Sequence, residues 1–157
     1  MIEIKNNGWT ITIVDSNKTT VKFESIDNNV YLEGFDVSYP GEYEKAGVLL
    51  EVKEYADKLF YHFLVESKHI VIINTDQLEL KEEILSFFGD VDILLITGSK
   101  ESAKLFESIE AKIVVPYAEG KDVFLNTLGQ HIEEVPSYKV KADLPYDTTE
   151  FVNLEIK

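Results

Sequence analysis

Three runs in the second half of the chain, Ile70–Ile73, Ile93–Ile96 and Ile113–Val115, are apolar at every position. Successive residues of a strand point to opposite faces, so a strand with no polar position must be covered on both sides. Each run is far too short to cross a bilayer. The segments between them have a different period. "LELKEEILSFFG" places Leu80, Ile84, Leu85 and Phe88 at helical spacing, with Gly89 as a C-terminal stop. "SKESAKLFESIEA" opens on Ser99, an N-cap residue, and sets Ala103, Leu105, Phe106 and Ile109 mostly on one face. "GKDVFLNTLGQ" reads as a short helix ending near Gly129. A loop through "SYKVKADLPYDTT" then leads to a last strand over Glu150–Ile156. The succession β-α-β-α-β-α-β demands a sheet with crossover helices packed outside it.

The first half has period two. "WTITIV" and "TTVKFES" alternate apolar with polar residues around the turn sequence "DSNK", which predicts a hairpin of Trp9–Val14 with Thr19–Ser25. "NNVYLEGF" reads as one further strand and "YPGEYEKAG" as a loop held by Pro40 and Gly41. "GVLLEV" and "KLFYHFLVES" follow as strands, and Leu59–Val65 pairs with Ile70–Asn74 as a hairpin. No linker, repeat or low-complexity stretch divides these pieces, so residues 1–157 read as a single α/β (α+β) domain with mixed sheets.

Charge and missing residue types narrow the chemistry. The chain carries 29 acidic and 15 basic residues, a net −14, and every basic residue is Lys. An acidic surface repels nucleic-acid backbones and anionic lipid, so neither nucleic acid nor membrane is an expected partner. A basic protein is. Lack of Arg removes bidentate clamps on phosphate or carboxylate. Lack of Cys removes disulfides, thiolate nucleophiles and Cys-based metal sites. The opening residues show no basic and apolar leader pattern, and the expected location is cytoplasmic.

Taken in order, "SYPGEYEKAGVLLEV", "EEILSFFGDVDILLI", "SIEAKIVVP", "VFLNTLG" and "KVKADLPYDTTEFVNL" resemble the metallo-β-lactamase fold. The likeness is to the short bacterial and archaeal metal-dependent hydrolases related to ascorbate-6-phosphate lactonase. The first piece looks like that group's Gly-Pro-Gly-Glu-Tyr-Glu loop, and the match runs from about Ser38 to the C-terminus. The resemblance implies a reduced αββα sandwich of two mixed β-sheets with helices outside. It also implies metal ligands on loops at one edge of the sheets. There a Thr-His-x-His-x-Asp-His loop holds zinc or manganese, and the metal generates a hydroxide nucleophile. Between "TTVKFES" and "VYLEGF" this chain has only "IDNN", so that loop and its surrounding element are deleted.

The family's other ligand positions fall on unsuitable residues. Its early Gly-His-Ser segment aligns near "NNGWT", which puts the His position at Gly8 or Trp9. The Asp-Pro ending the next strand becomes Glu24-Ser25. The bridging Asp falls on Thr75, or on Asp76 with a one-residue shift, and the final His of Pro-x-His falls on Ala118. Glu24, Asp76 and His62 are the residues from which a rebuilt site could be made. Each has a plainer reading as well. Asp76 caps the turn before the next helix, and His62, grouped by alternation with Phe60 and Leu64, is a structural histidine. His69, in the hairpin turn, and His131, after a helix, match no ligand position. Asp90 and Asp92 solvate a strand entrance. "YPGEYE" offers Tyr39, Tyr43, Glu42 and Glu44 for acid–base work or for loop packing.

These observations lead to an expected function. The chain is a catalytically inactive member of the fold, with no cofactor, acting as an interaction module or oligomeric structural subunit. Its partner is a second copy or another protein, and the aromatic residues Phe60, Tyr61 and Phe63 are either a contact surface or simple core. The alternative is a hydrolase of a small ester, lactone or phosphoester using zinc or manganese. A third reading is a small-molecule binder using the old cleft without metal. The three separate on one question: whether the strand ends at Gly8, Glu24, Thr75/Asp76 and Ala118 converge, and on what.

Overall fold

The structure, a computed structural model, describes residues 1–156. Two sheets lie face to face. The first is built from β1 (Glu3–Asn7), β2 (Thr10–Val14), β3 (Thr20–Glu24), β4 (Asn29–Leu32), β5 (Phe35–Val37) and the late β12 (Tyr138–Lys139). Its order is β12-β1-β2-β3-β4-β5. The second holds β6 (Gly41–Lys45), β7 (Val48–Tyr55), β8 (Lys58–Val65), β9 (Lys68–Ile73), β10 (Val91–Thr97), β11 (Ala111–Tyr117) and β13 (Glu150–Phe151). Its order is β13-β11-β10-β9-β8-β7-β6. Three helices, α1 (Glu82–Phe88), α2 (Lys100–Phe106) and α3 (Lys121–Thr127), follow β9, β10 and β11. Among the described residues no helix is long and apolar enough to cross a membrane.

The doubly apolar runs are explained by the layers. Ile70, Ile72, Ile93, Leu95, Ile113 and Val115 face the first sheet. Val71, Ile73, Leu94, Ile96 and Val114, from the same strands, face Ile84, Phe88, Ala103, Phe124 and Leu125 of the helices. Burial of one such side chain is worth about 1.5–3 kcal/mol, so this twofold coverage carries much of the hydrophobic stabilisation. Strands β9, β10 and β11 are mutually parallel, as their helical connections require, while β6 to β9 are antiparallel hairpins. Phe60, Tyr61 and Phe63 are all fully buried, which makes them core and not a contact surface.

Several expectations are corrected. The strand pairs of the first sheet are antiparallel, since β1 to β5 follow one another through turns too short for a parallel crossover, and only the second sheet contains parallel strand pairs. "NNVYLEGF" is a hairpin, not one strand, since Glu33 and Gly34 form a two-residue turn at φ 48° and 85°. "YPGEYEKAG" is not a loop. It contains edge strand β6, turned into β7 at Ala46 and Gly47 with φ 51° and 84°. Both turns have the two positive φ values of a type I′ hairpin, whose twist matches the strands it joins. Helix α1 starts at Glu82, leaving Leu80 outside, and buries Ile84 and Phe88 while Leu85 is exposed. The tail contributes β12, and the expected strand Glu150–Ile156 divides. Glu150–Phe151 pairs with β11, Leu154 bridges to Val135, and Ile156 bridges to Asn6 in the first sheet.

The helix layers are one-sided. The buried apolar residues of all three helices pack against the second sheet. Among the described residues none lies on the outer face of the first, where Lys5, Lys22 and Tyr31 meet solvent. The arrangement is therefore ββα, a sandwich lacking one outer layer. The alternation of "WTITIV" and "TTVKFES" makes this tolerable, because the outward positions are Thr, Lys and Glu with a single Val14 among them.

The predicted cap at Ser99 is present as a capping box: Ser99 accepts from the Ser102 amide, and the Ser102 hydroxyl oxygen accepts from the Ser99 amide. Ser99→Ala should cost about 1 kcal/mol of unfolding free energy, measured by urea denaturation. An unchanged midpoint would remove the box from the account.

Candidate functional site

The strand ends do converge. The turn Gly8-Trp9, the end of β3, the loop 26–28, the end of β9 and the end of β11 meet at one edge of the sandwich. Hydrogen bonds place them. The Ser25 amide and hydroxyl donate to the Trp9 carbonyl at 2.9 and 2.8 Å. The Asn74 side-chain amide donates to the Ser25 carbonyl at 2.8 Å. The Tyr117 hydroxyl donates to the Asn74 Oδ1 at 2.6 Å. Beside them, the Tyr61 hydroxyl donates to the Asn28 carbonyl at 2.5 Å.

What fills this vertex is side chain. Tyr61 and Phe23 are fully buried and meet edge to face, with ring centroids 5.2 Å apart, and the Tyr117 ring lies 6.4 Å from Phe23. Burial pushes the Tyr117 hydroxyl well above the ordinary phenol range, and neighbouring Tyr61 adds to it. Burial raises Tyr61 as well. Both phenols therefore stay neutral and serve as fixed donors, unsuited to proton transfer near neutral pH.

Above Tyr117 the loops after β10 and β11 touch backbone to backbone. The Gly98 amide donates to the Tyr117 carbonyl at 2.7 Å. A Cβ placed on Gly120 would lie 2.0 Å from the Gly98 carbonyl oxygen, and one on Gly98 would lie 2.5 Å from the Lys121 amide nitrogen. Only glycine permits that approach. Ala118, next along, has φ 71°, in the left-handed region that a residue with a Cβ seldom adopts. Its methyl group packs against the core between the sheets. Lys121 is 4% exposed, and its ammonium donates to Asn153 Oδ1, to the Leu154 carbonyl and to Glu134. It thereby fastens the returning tail beside the vertex.

Few of the candidate residues share a place. Gly8 turns the first hairpin at φ 65°, and Trp9 is 51% exposed beside it. Glu24 accepts from the Thr10 hydroxyl at 2.7 Å, on the outer face of the first sheet with Thr20 and Lys22. Thr75 Oγ1 accepts from the Gln77 amide at 3.0 Å, and Asp76 accepts from the Gln77 side chain at 3.2 Å. Asp76 is not the cap of α1, whose N-cap is Lys81 without a side-chain bond. His62 points to the helix-covered face of the second sheet, where its Nδ1 meets the Phe87 carbonyl at 3.0 Å. Glu24, Asp76 and His62 thus occupy three different surfaces. Among the described residues no group of three or more His, Asp or Glu is placed to hold a metal ion. The vertex donors do not suit the hydrolases' cation either: its polar atoms are neutral amide and phenol groups already bonded to one another.

Three features escaped the sequence. The Tyr117–Asn74 bond joins residues 43 apart, and neither has a local signature. His69 is not in a turn but in β9, with its Nδ1 2.9 Å from His62 Nε2. Asp92, expected only to solvate a strand entrance, accepts from the His69 amide at 2.8 Å and pairs with Lys112 at 3.5 Å. The Tyr43 hydroxyl donates to the Tyr39 carbonyl at 2.7 Å, so Tyr43 of β6 holds the turn that leads into its own strand.

No protein-family model matches the chain, and no curated protein sequence matches it. Among solved structures, it is similar to a Thermotoga maritima protein described as a candidate Zn-dependent hydrolase of the metallo-β-lactamase superfamily. The two share 18% identity with a TM-score of 0.74, over 99% of this chain and 100% of the other. The fold is therefore that of the metallo-β-lactamases.

Removing one hydroxyl tests the vertex. Tyr117→Phe leaves the half-buried Asn74 carbonyl oxygen without its donor and should cost about 1 kcal/mol in chemical denaturation. Combined with Asn74→Ala, the losses should be non-additive by about 0.5 kcal/mol or more. Strict additivity would show that the bond is not formed.

Proposed function

We propose that this chain is a non-catalytic protein of the metallo-β-lactamase fold that works through its surface, as an interaction module or oligomeric subunit. The observation that carries the reading is the filled vertex. Hydrolysis by the route of that fold needs a hydroxide held between metal-bound ligands and open to a substrate. At the matching place stand a bonded Tyr117–Asn74–Ser25 chain, a buried Tyr61 and the methyl group of Ala118. A cation has no charged donor there, and a substrate carbonyl has no opening flanked by a general base.

The surface supports binding better than chemistry. Trp9 and Ile26 lie at the rim of the vertex, 51% and 65% exposed. Trp is among the residues that most often anchor protein contacts. The chain's net −14 charge favours a partner with a basic face, through steering and complementary potential. A second copy of the chain must bring its like charge with it, so its contact would centre on the apolar rim and exclude the carboxylates. Both partners belong to the proposal, as does a cytoplasmic setting.

Catalysis provides the test. Purified protein supplied with excess zinc or manganese should hydrolyse ester, lactone and phosphoester substrates no faster than buffer. Ala118→His should not change that, since one imidazole cannot assemble a site without its companions. Metal-dependent turnover by the natural chain that Asp76→Asn or Glu24→Gln abolishes would overturn the reading in favour of a rebuilt hydrolase.

A further inference from the structure

On the far side of the second sheet from the vertex's buried phenols, two imidazoles meet. The β8–β9 register pairs Leu64 with His69 and His62 with Val71, so His62 and His69 are diagonal neighbours on the face that α1 covers. Their bonding fixes the ring nitrogens. His62 Nδ1 lies 3.0 Å from the Phe87 carbonyl, an acceptor only, so Nδ1 carries the proton. Neutral His62 then has a bare lone pair on Nε2, aimed at His69 Nδ1 2.9 Å away. Phe87 also stacks edge-on against the His62 ring, at 5.9 Å between centroids, which holds its orientation. A histidine whose second nitrogen is bound to a backbone carbonyl is the usual arrangement of a metal ligand, because the outer bond sets tautomer and direction.

The surroundings carry negative charge. Glu51 stands opposite His62 on β7, on the same face and exposed to solvent. Asp90 and Glu83 line the same cleft; Lys53, also there, is paired with Glu83 at 3.3 Å. Asp92, at the neighbouring edge, is held by the His69 amide and by Lys112. We infer that His62 and His69 form a binding site for a divalent transition-metal cation of the zinc type, with Glu51 or water completing the coordination. The hydrogen bond from His69 Nδ1 to His62 Nε2 is broken: the Nδ1 proton leaves and one is taken up from solvent at His69 Nε2, so both rings stay neutral, no net proton is released, and the cation sits between the two freed lone pairs. Imidazole is well matched to such ions, whereas the hard cations calcium and magnesium prefer oxygen donors. Burial lowers the His62 proton affinity, which keeps the ring neutral and available. As the side chains stand, no third His, Asp or Glu joins the two nitrogens among the described residues, so rotation of Glu51 is part of the inference. It does not depend on whether the vertex is catalytic.

The experiment is calorimetric titration of the metal-stripped protein with zinc chloride at neutral pH. The expected result is one saturable equivalent, weakened about tenfold or more by His69→Gln and unaffected by His131→Gln. His69→Gln keeps the His62–Phe87 bond, so the fold is retained and circular dichroism checks it. Glu51→Gln should weaken binding several-fold without changing the stoichiometry. Nitrogen chemical shifts of His62 and His69, and not of His131, should move on zinc addition. Equal zinc binding by the natural chain and the His62→Gln/His69→Gln double variant, or no saturable equivalent in the natural chain, would overturn the inference.

Discussion

Asn74 uses both ends of its amide to join the two sheets. Its NH2 group reaches the Ser25 carbonyl at the end of β3, and its oxygen receives the Tyr117 hydroxyl from the end of β11. The rest of the vertex follows from this bridge. Sheets packed face to face diverge at their edges because each twists, and an edge left open is where this fold would place a cleft. Here the opening is closed by a polar link with aromatic rings behind it. Inside a protein an unpaired amide or phenol costs about 1–3 kcal/mol, so each member holds the others in place. A vertex stabilised by its own bonding is a poor host for a hydroxide, a cation and a substrate.

The same economy of parts shows in the first sheet. Only a short turn joins β3 to β4, and no helix covers the outer face of that sheet among the described residues. The strands adjust by presenting mainly Thr, Lys and Glu outward, the pattern of an antiparallel sheet wetted on one side. The second sheet cannot make that adjustment. Its central strands are apolar on both faces and keep all three helices. The helices thus lie where the sequence requires them: the sheet that could not face water on either side is the one they cover.

Much of this was legible in the residues. The uninterrupted apolar runs of β9, β10 and β11 required two-sided burial, and the hairpin of Leu59–Val65 with Ile70–Asn74 was set by alternation and a short turn. Other elements were hidden by turn chemistry. Glu33-Gly34 and Ala46-Gly47 each place a non-glycine residue at positive φ, where Asn or Asp is the expected signal, so β5 and β6 read as the end of a strand and a loop. β12, two residues long, is shorter than any periodic pattern, and β13 is the first two residues of the longer strand expected over Glu150–Ile156. Ala118 acquired meaning only through the family resemblance, and its left-handed backbone has no sequence mark. The Tyr117–Asn74 bond and the His62–His69 pair are tertiary facts. One joins distant segments, and the other depends on a hairpin register known to the residue.

The central claim is that the vertex is dry, bonded and closed, and tyrosine ionisation reports on it directly. Spectrophotometric alkaline titration of the natural chain can be compared with that of a Tyr61→Phe/Tyr117→Phe variant. In water a phenol ionises at about pH 10. The account predicts identical absorbance changes through that range, with the extra signal of the natural chain appearing only as the protein unfolds in stronger alkali. Reversible ionisation of the two additional phenols near pH 10 in the folded protein would show a vertex open to water, and would contradict the account.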